Sequence, residues 1–183
     1  SPRDAIRNGI GFVTENRKEE GLFLRSSIKV NTVMVALKKI LKAGLYFDFK
    51  KEKAYAEEYV KKFHTATSSV NKRVMFLSGG NQQKVVLAKW LLSDADIIIL
   101  DEPTRGIDVG AKREIYEIIN ELVAEKKVVI VVSSDMEEVI GICDRIIVMH
   151  EGKISGEVTG GEMNQKSIMY LATVEGGKAN GAD

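Results

Sequence analysis

The run IIILDEPTRGID at residues 97–108 constrains this chain more than any other stretch. Four apolar positions end in two adjacent carboxylates, as in a buried strand that stops at a polar edge. From there the pattern alternates. A helix is expected over 110–125, the strand VVIVV at 128–132, a short helix at 135–142 and the strand RIIVM at 145–149. A last strand near Lys153–Val158 and a helix from about Gly161 to Leu171 follow. Buried apolar strands alternating with amphipathic helices imply a mainly parallel sheet covered on both faces, an α/β class.

Upstream, IGFVT at 10–14 reads as a strand running into the charged surface loop ENRKEEGL. Helical spacing is present over 28–42, through Val33, Leu37, Ile40 and Leu41, and over 50–63, where a narrow apolar stripe implies a surface helix. After the loop HTATSSVNKRVMF comes LSGGNQQKVVLAKWLLSD, whose Ser78, Gly79 and Gly80 precede a strongly periodic helix. A mainly helical insertion therefore separates the first strand from the others.

The 183 residues, 44% apolar and 29% charged, suit one ordinary domain, with regular structure ending near Thr173 and a mobile glycine-containing tail at 174–183. A net charge of +1 supplies no field favouring nucleic acid or anionic lipid. Cys143 is the single cysteine, and no signal peptide or bilayer-length apolar run is present, so a soluble protein of a reducing compartment is expected. The chain opens on Ser1-Pro2 rather than methionine, so a processed, engineered or truncated end is expected.

Asp101 and Glu102 fall at the carboxyl edge of a parallel sheet, where ligands of such sheets bind. One can hold Mg²⁺ while the other handles a water, or both simply open a loop. Asp108 precedes a helix and suits a cap. LSGG is either a tight helix entry or an anion site made of a serine hydroxyl, glycine amides and a helix amino terminus. His64 and His150 have no Cys or His at ligand spacing and read as surface or satisfied histidines. Cys143 and Trp90 read as packing residues, and Lys61-Lys62 as a solvated face.

LSGGNQQKV followed by IIILDEPTRGID closely resembles the ATP-binding cassette family, with likeness from Gly11 to Gly156. Within it, LSGGNQQKV and EPTRGIDVGAK are similar to the carboxyl-terminal cassette of tandem-cassette ATPases of bacterial ribose-type monosaccharide importers. GIGFVTENRKEEGL resembles the Q-loop region, and SSDMEEVIGICDRIIVMHEGKISGE the switch region and the strands after it. The resemblance implies a partial RecA-like P-loop NTPase core over 10–27 and 93–173, with a helical subdomain at about 28–92. It implies Asp101 as the Walker B aspartate acting on Mg²⁺, Glu102 as general base and Asp108 as the D-loop aspartate. Ser78, Gly79, Gly80 and Asn81 would form the signature that closes on the γ-phosphate of ATP held by a partner cassette.

Three departures stand out. No GxxxxGK[ST] occurs, so the phosphate-cradling amides and their lysine are missing. Glu15 stands at the Q-loop position, usually glutamine, and Ser134 at the switch position, usually histidine. A serine hydroxyl donates to a phosphate oxygen but does not titrate near neutral pH. The resemblance thus implies the ATP-binding and hydrolysing subunit of a sugar importer with an incomplete nucleotide site, inactive alone. The rival reading is a non-hydrolysing interaction module whose signature completes a partner's site. Implied partners are a second cassette, transmembrane permease subunits facing residues 15–76 and, indirectly, a periplasmic sugar-binding protein, but not nucleic acid. The implied location is the cytoplasmic side of the bacterial inner membrane. By the same resemblance, the phosphate-loop strand belongs between 128–132 and 145–149. The chain is expected to pair those two strands directly or to borrow one as a strand-swapped homodimer.

Overall fold

Ile98 and Leu100 are fully buried at the centre of a three-stranded parallel sheet. The computed structural model describes residues 1–42 and 44–173 and divides into two compact units, Ser1–Val132 and one beginning at Ser133. The tail expected at 174–183 lies outside the described residues.

In the first unit the sheet order is β1 (Ile10–Val13), β4 (Ile97–Asp101), β5 (Val128–Val132). Register aligns Gly11, Ile98 and Val129, then Val13, Leu100 and Val131, on one face. That face is buried beneath α5 (Gly79–Leu91), which packs on β1, and α6 (Val109–Ala124), which packs on β5. The other face, aligned through Phe12, Ile99 and Ile130, is open among the described residues. Phe12 is 44% exposed, Ile130 47% and Val132 51%. The expected two-sided covering is therefore corrected to one-sided, although the unbroken apolar run of β4 is the composition of a strand buried on both sides.

The insertion is helical, as expected, but not as two helices. α2 (Ile28–Val33) and α3 (Leu37–Ile40) replace the single helix over 28–42. After Asn31 the backbone bonds tighten to the i−3 type, Met34 N–H to Asn31 O and Ala36 N–H to Val33 O. Asn31 is buried because its amide bonds Phe23 N–H, Phe23 O and Ser27 O, tying α2 to the preceding loop. Val33, Ala36, Ile40 and Leu92 then share one cluster against Tyr55 and Tyr59. A two-residue hairpin, β2 (Leu41–Lys42) and β3 (Tyr46–Phe47), leads into α4 (Phe49–Lys62), which is largely exposed as expected and capped by Asp48. A first helix, α1 (Pro2–Arg7), was not foreseen; its opening proline suits a first helical position.

The second unit holds α7 (Met136–Ile142), an antiparallel hairpin of β6 (Arg145–His150) and β7 (Lys153–Thr159), and α8 (Gln165–Thr173). Val139, Ile146, Val148, Val158 and Ile168 form its core, with Cys143 packed against it. The strand at 145–149 was expected in the parallel sheet. It pairs instead with β7 through a turn at Glu151 and Gly152, both with positive φ, and a two-residue turn of that kind permits only antiparallel pairing. No ladder joins β5 to β6 among the described residues, so direct closure of the expected gap is also corrected.

Candidate functional site

β4 delivers the two carboxylates. Asp101 is its last ladder residue, opposite Val132, and Glu102 N–H donates to Val132 O at 2.8 Å, which carries the edge one residue further. Glu102 adopts φ +46°, a left-handed conformation costing about 1 kcal/mol for a side chain of this kind. Both residues are half-buried. Pro103 and Thr104 then turn inward, Gly106 takes φ +65°, and Ile107 is buried. Asp108 reaches α6 as its cap, with Oδ1 accepting from Ala111 N–H at 3.0 Å.

The LSGG segment folds as a capped helix start. Ser78 Oγ accepts from Asn81 N–H at 3.4 Å and from Asn81 Nδ2 at 2.8 Å, while Asn81 Oδ1 accepts from Ala66 N–H at 2.7 Å. The serine is exposed, and the first amides of a helix carry no intrahelical acceptor, so the end is electropositive. Gly80 is required sterically, and Gly79 is tightly placed. A Cβ on Gly80 would lie 2.5 Å from the Ala111 Cβ, and one on Gly79 would lie 3.1 Å from Gly106 O and 2.8 Å from an Arg17 nitrogen. The helix start and the Asp101–Asp108 loop therefore touch through glycine backbone.

Glu15 lies just beyond β1, exposed, and forms an ion pair with Arg105. Arg17, two residues on, sits in a π-helical turn at Arg17–Gly21 and is 9% exposed, contrary to a surface loop. Its guanidinium donates to Arg105 O at 2.8 Å and Gly106 O at 3.2 Å, and burial lowers its pKa. Glu15, Asn16, Arg17, Lys18 and Arg105 line a cleft of about 440 Å³. Arg17 and Arg105 were missed in the sequence because Arg17 bonds backbone carbonyls, which no side-chain pattern reveals.

Ser134 belongs to the second unit, where it is exposed one residue before Asp135, the cap of α7. Trp90 packs on Gly11 as expected. Its neighbour Lys89 donates to Gly21 O at 2.6 Å, and burial pushes its pKa down to about 8. Burial raises the Cys143 thiol, with Asp144 and Glu138 adding to the shift.

Mg²⁺ is held in phosphate sites by one or two carboxylates, with water and phosphate completing the shell. Asp101 and Glu102 fit that donor set, and no group of three His, Cys, Asp or Glu suited to a metal occurs among the described residues. The phosphates of a nucleotide fit only in part, since Ser78–Asn81 offer amides and a hydroxyl but no lysine-bearing loop accompanies them.

A family model described as ABC transporter matches residues 1–105. Ribose import ATP-binding protein RbsA of Clostridium perfringens is 52% identical over 169 residues, 92% of this chain and 34% of that protein. The Bacillus subtilis protein of the same name is 49% identical over 173 residues, 94% and 35% of the two chains. Arabinose import ATP-binding protein AraG 1 of Burkholderia thailandensis is 46% identical over 183 residues, all of this chain and 36% of that one. The chain thus spans about a third of the length of these curated relatives. Among solved structures, a nucleotide-free ATP-binding cassette from an ABC transporter aligns with TM-score 0.73 at 20% identity, covering 93% of this chain and 68% of that one. A dimeric cassette in a post-hydrolysis state with ADP and Pi gives 0.70 at 22%, covering 87% and 67%. These likenesses carry the fold of an ATP-binding cassette.

Proposed function

This chain belongs to the ABC transporter family, and from that membership we propose that it forms part of the ATP-binding subunit of a bacterial sugar importer. MgATP hydrolysis at a cassette interface would be coupled there to monosaccharide uptake. The observation that carries this reading is the contact of the helix start at Ser78–Asn81 with the Asp101–Asp108 loop, Gly79 against Gly106, and with the first turn of α6 that follows it, Gly80 against Ala111. It supports reading the helix end as an anion site that shares a frame with the carboxylate edge. Names of the relatives support sugar import.

In this reading Asp101 holds Mg²⁺ through water, and Glu102 orients the attacking water and takes its proton. The metal, when bound, neutralises phosphate charge. Ser78 and the amides of Gly79 to Asn81 bind the γ-phosphate held by a partner cassette, with Glu15 and Ser134 at the Q-loop and switch positions. Residues 15–76 face the permease, at the cytoplasmic side of the inner membrane; no described helix is long and apolar enough to cross it. The outer edge of β5, which carries no strand among the described residues, receives a phosphate-loop strand, from more of the polypeptide or from a second copy as a swapped dimer.

A second reading, an interaction module that completes a partner's site without hydrolysis, is favoured by the missing GxxxxGK[ST] and by Ser134. Calorimetry with MgATP on this chain and on a longer one carrying the upstream sequence separates the two. The importer reading expects tight binding and turnover only in the longer chain, abolished by Glu102→Gln. A longer chain that binds MgATP without turnover supports the module, and turnover unaffected by Glu102→Gln removes the assigned base.

A further inference from the structure

The Arg17 guanidinium is buried where three segments distant in sequence meet. It donates to Arg105 O and Gly106 O, and an Nη lies 2.8 Å from where a Gly79 Cβ would stand. Its Nε is buried without a hydrogen-bond partner. Burying a guanidinium is unfavourable unless its bonds are good, and charge-assisted bonds to backbone carbonyls are among the strong ones. A long surface arginine would ordinarily keep its head in water. Here the head supports a turn that contains the positive-φ Gly106, and that turn's carbonyl lies against the helix start. The reverse strap is present too, since the Arg105 side chain pairs with Glu15, two residues before Arg17. The two straps cross between the same segments, one through the Arg17 side chain and one through that of Arg105.

We propose that Arg17 is a positioning residue that locks the loop after β1 to both the Arg105-Gly106 turn and the Gly79 helix start. A displacement of residues 15–18 is then transmitted to Ser78–Asn81 and to Asp108 together. That this lock serves a nucleotide site rests on the reading above; the lock itself rests on the geometry.

Amide hydrogen exchange on this chain tests it. Arg17→Met keeps the length and removes the donors. Loss of charge-assisted bonds raises exchange about tenfold to a hundredfold at the hydrogen-bonded amides of Asn81 and Gln82 and of Arg105 and Ile107, with α4 and the β6–β7 hairpin changed by less than about twofold. Arg17→Lys, which keeps charge without the fork, restores protection only in part. Unchanged exchange at the two loops, a uniform rise across the chain or full rescue by lysine would overturn the lock. If Arg17→Met fails to fold, Arg17→Lys and Glu15→Gln carry the same comparison. Gly79→Ala gives an independent reading, because its effect on the midpoint must be smaller in the Arg17→Lys background than alone, and equal effects refute the contact. No readout involves ATP, so a chain that never binds nucleotide refutes the functional reading while leaving the lock measurable.

Discussion

Gly80, in the first turn of α5, lies so close to Ala111, in the first turn of α6, that a Cβ on the glycine would stand 2.5 Å from the alanine Cβ. Gly80→Ala therefore sets two effects against each other. Alanine gains up to about 1 kcal/mol of helix propensity, and overpacking against a rigid neighbour costs roughly 1–3 kcal/mol. The net expectation is a destabilisation of about 1 kcal/mol in urea unfolding, partly relieved by Ala111→Gly.

Asp108 caps α6 through Ala111 N–H. Asp108→Ala should cost about 1 kcal/mol, and Asp108→Asn much less, because asparagine retains the acceptor oxygen. Equal losses for the two substitutions would show that charge, rather than capping, is what the position supplies.

Lys84 is 2% exposed, with Nζ 2.9 Å from Glu114 Oε2 and donating to His64 O at 3.2 Å. Glu114→Gln leaves a buried ammonium with weaker compensation. Because Glu114 is 55% exposed, the loss should be nearer 1 than 4 kcal/mol, and smaller in high salt. Chemical denaturation by urea at two salt concentrations measures it.

Burial depresses the Lys89 pKa to about 8. A lysine whose folded pKa lies below its unfolded value binds its proton less tightly when folded, so the cost is present in full below pH 8 and falls as pH rises toward 10. The stability of the parent chain minus that of Lys89→Met should rise over this window. A flat difference from pH 7 to 10 would mean that the bond to Gly21 O holds the ammonium at its ordinary pKa.

Periodicity made β4, α5 and α6 legible because each is defined by local pattern, and the two helices are opened by local caps, Ser78 and Asp108. The break between α2 and α3 was not legible. MVA at 34–36 contains no glycine or proline, and the tightening follows from the bonds that Asn31 makes to Phe23. The orientation of β6 was readable from Glu151-Gly152, but a parallel pattern inferred from the preceding strands overrode that turn signal. Arg17 and Arg105 lay in charged stretches that read as solvated, since their partners lie 88 or 89 residues away or across the cleft. The candidate carboxylates and the helix start were legible, and the arginine joining them was not.

β5 has consequences for the chain in solution. VVIVV holds five β-branched residues without charge, proline or glycine, and its outer edge carries no strand among the described residues. That is the composition and geometry of a template for nucleated aggregation. The charged residues nearest it, Lys126 and Lys127 before and Asp135 after, act as gatekeepers, although Lys127 is already engaged with Asp96. Association through this edge is therefore expected to limit concentration before unfolding does. A single lysine at Ile130, on the open face, should lengthen the lag before turbidity more than it changes the unfolding midpoint.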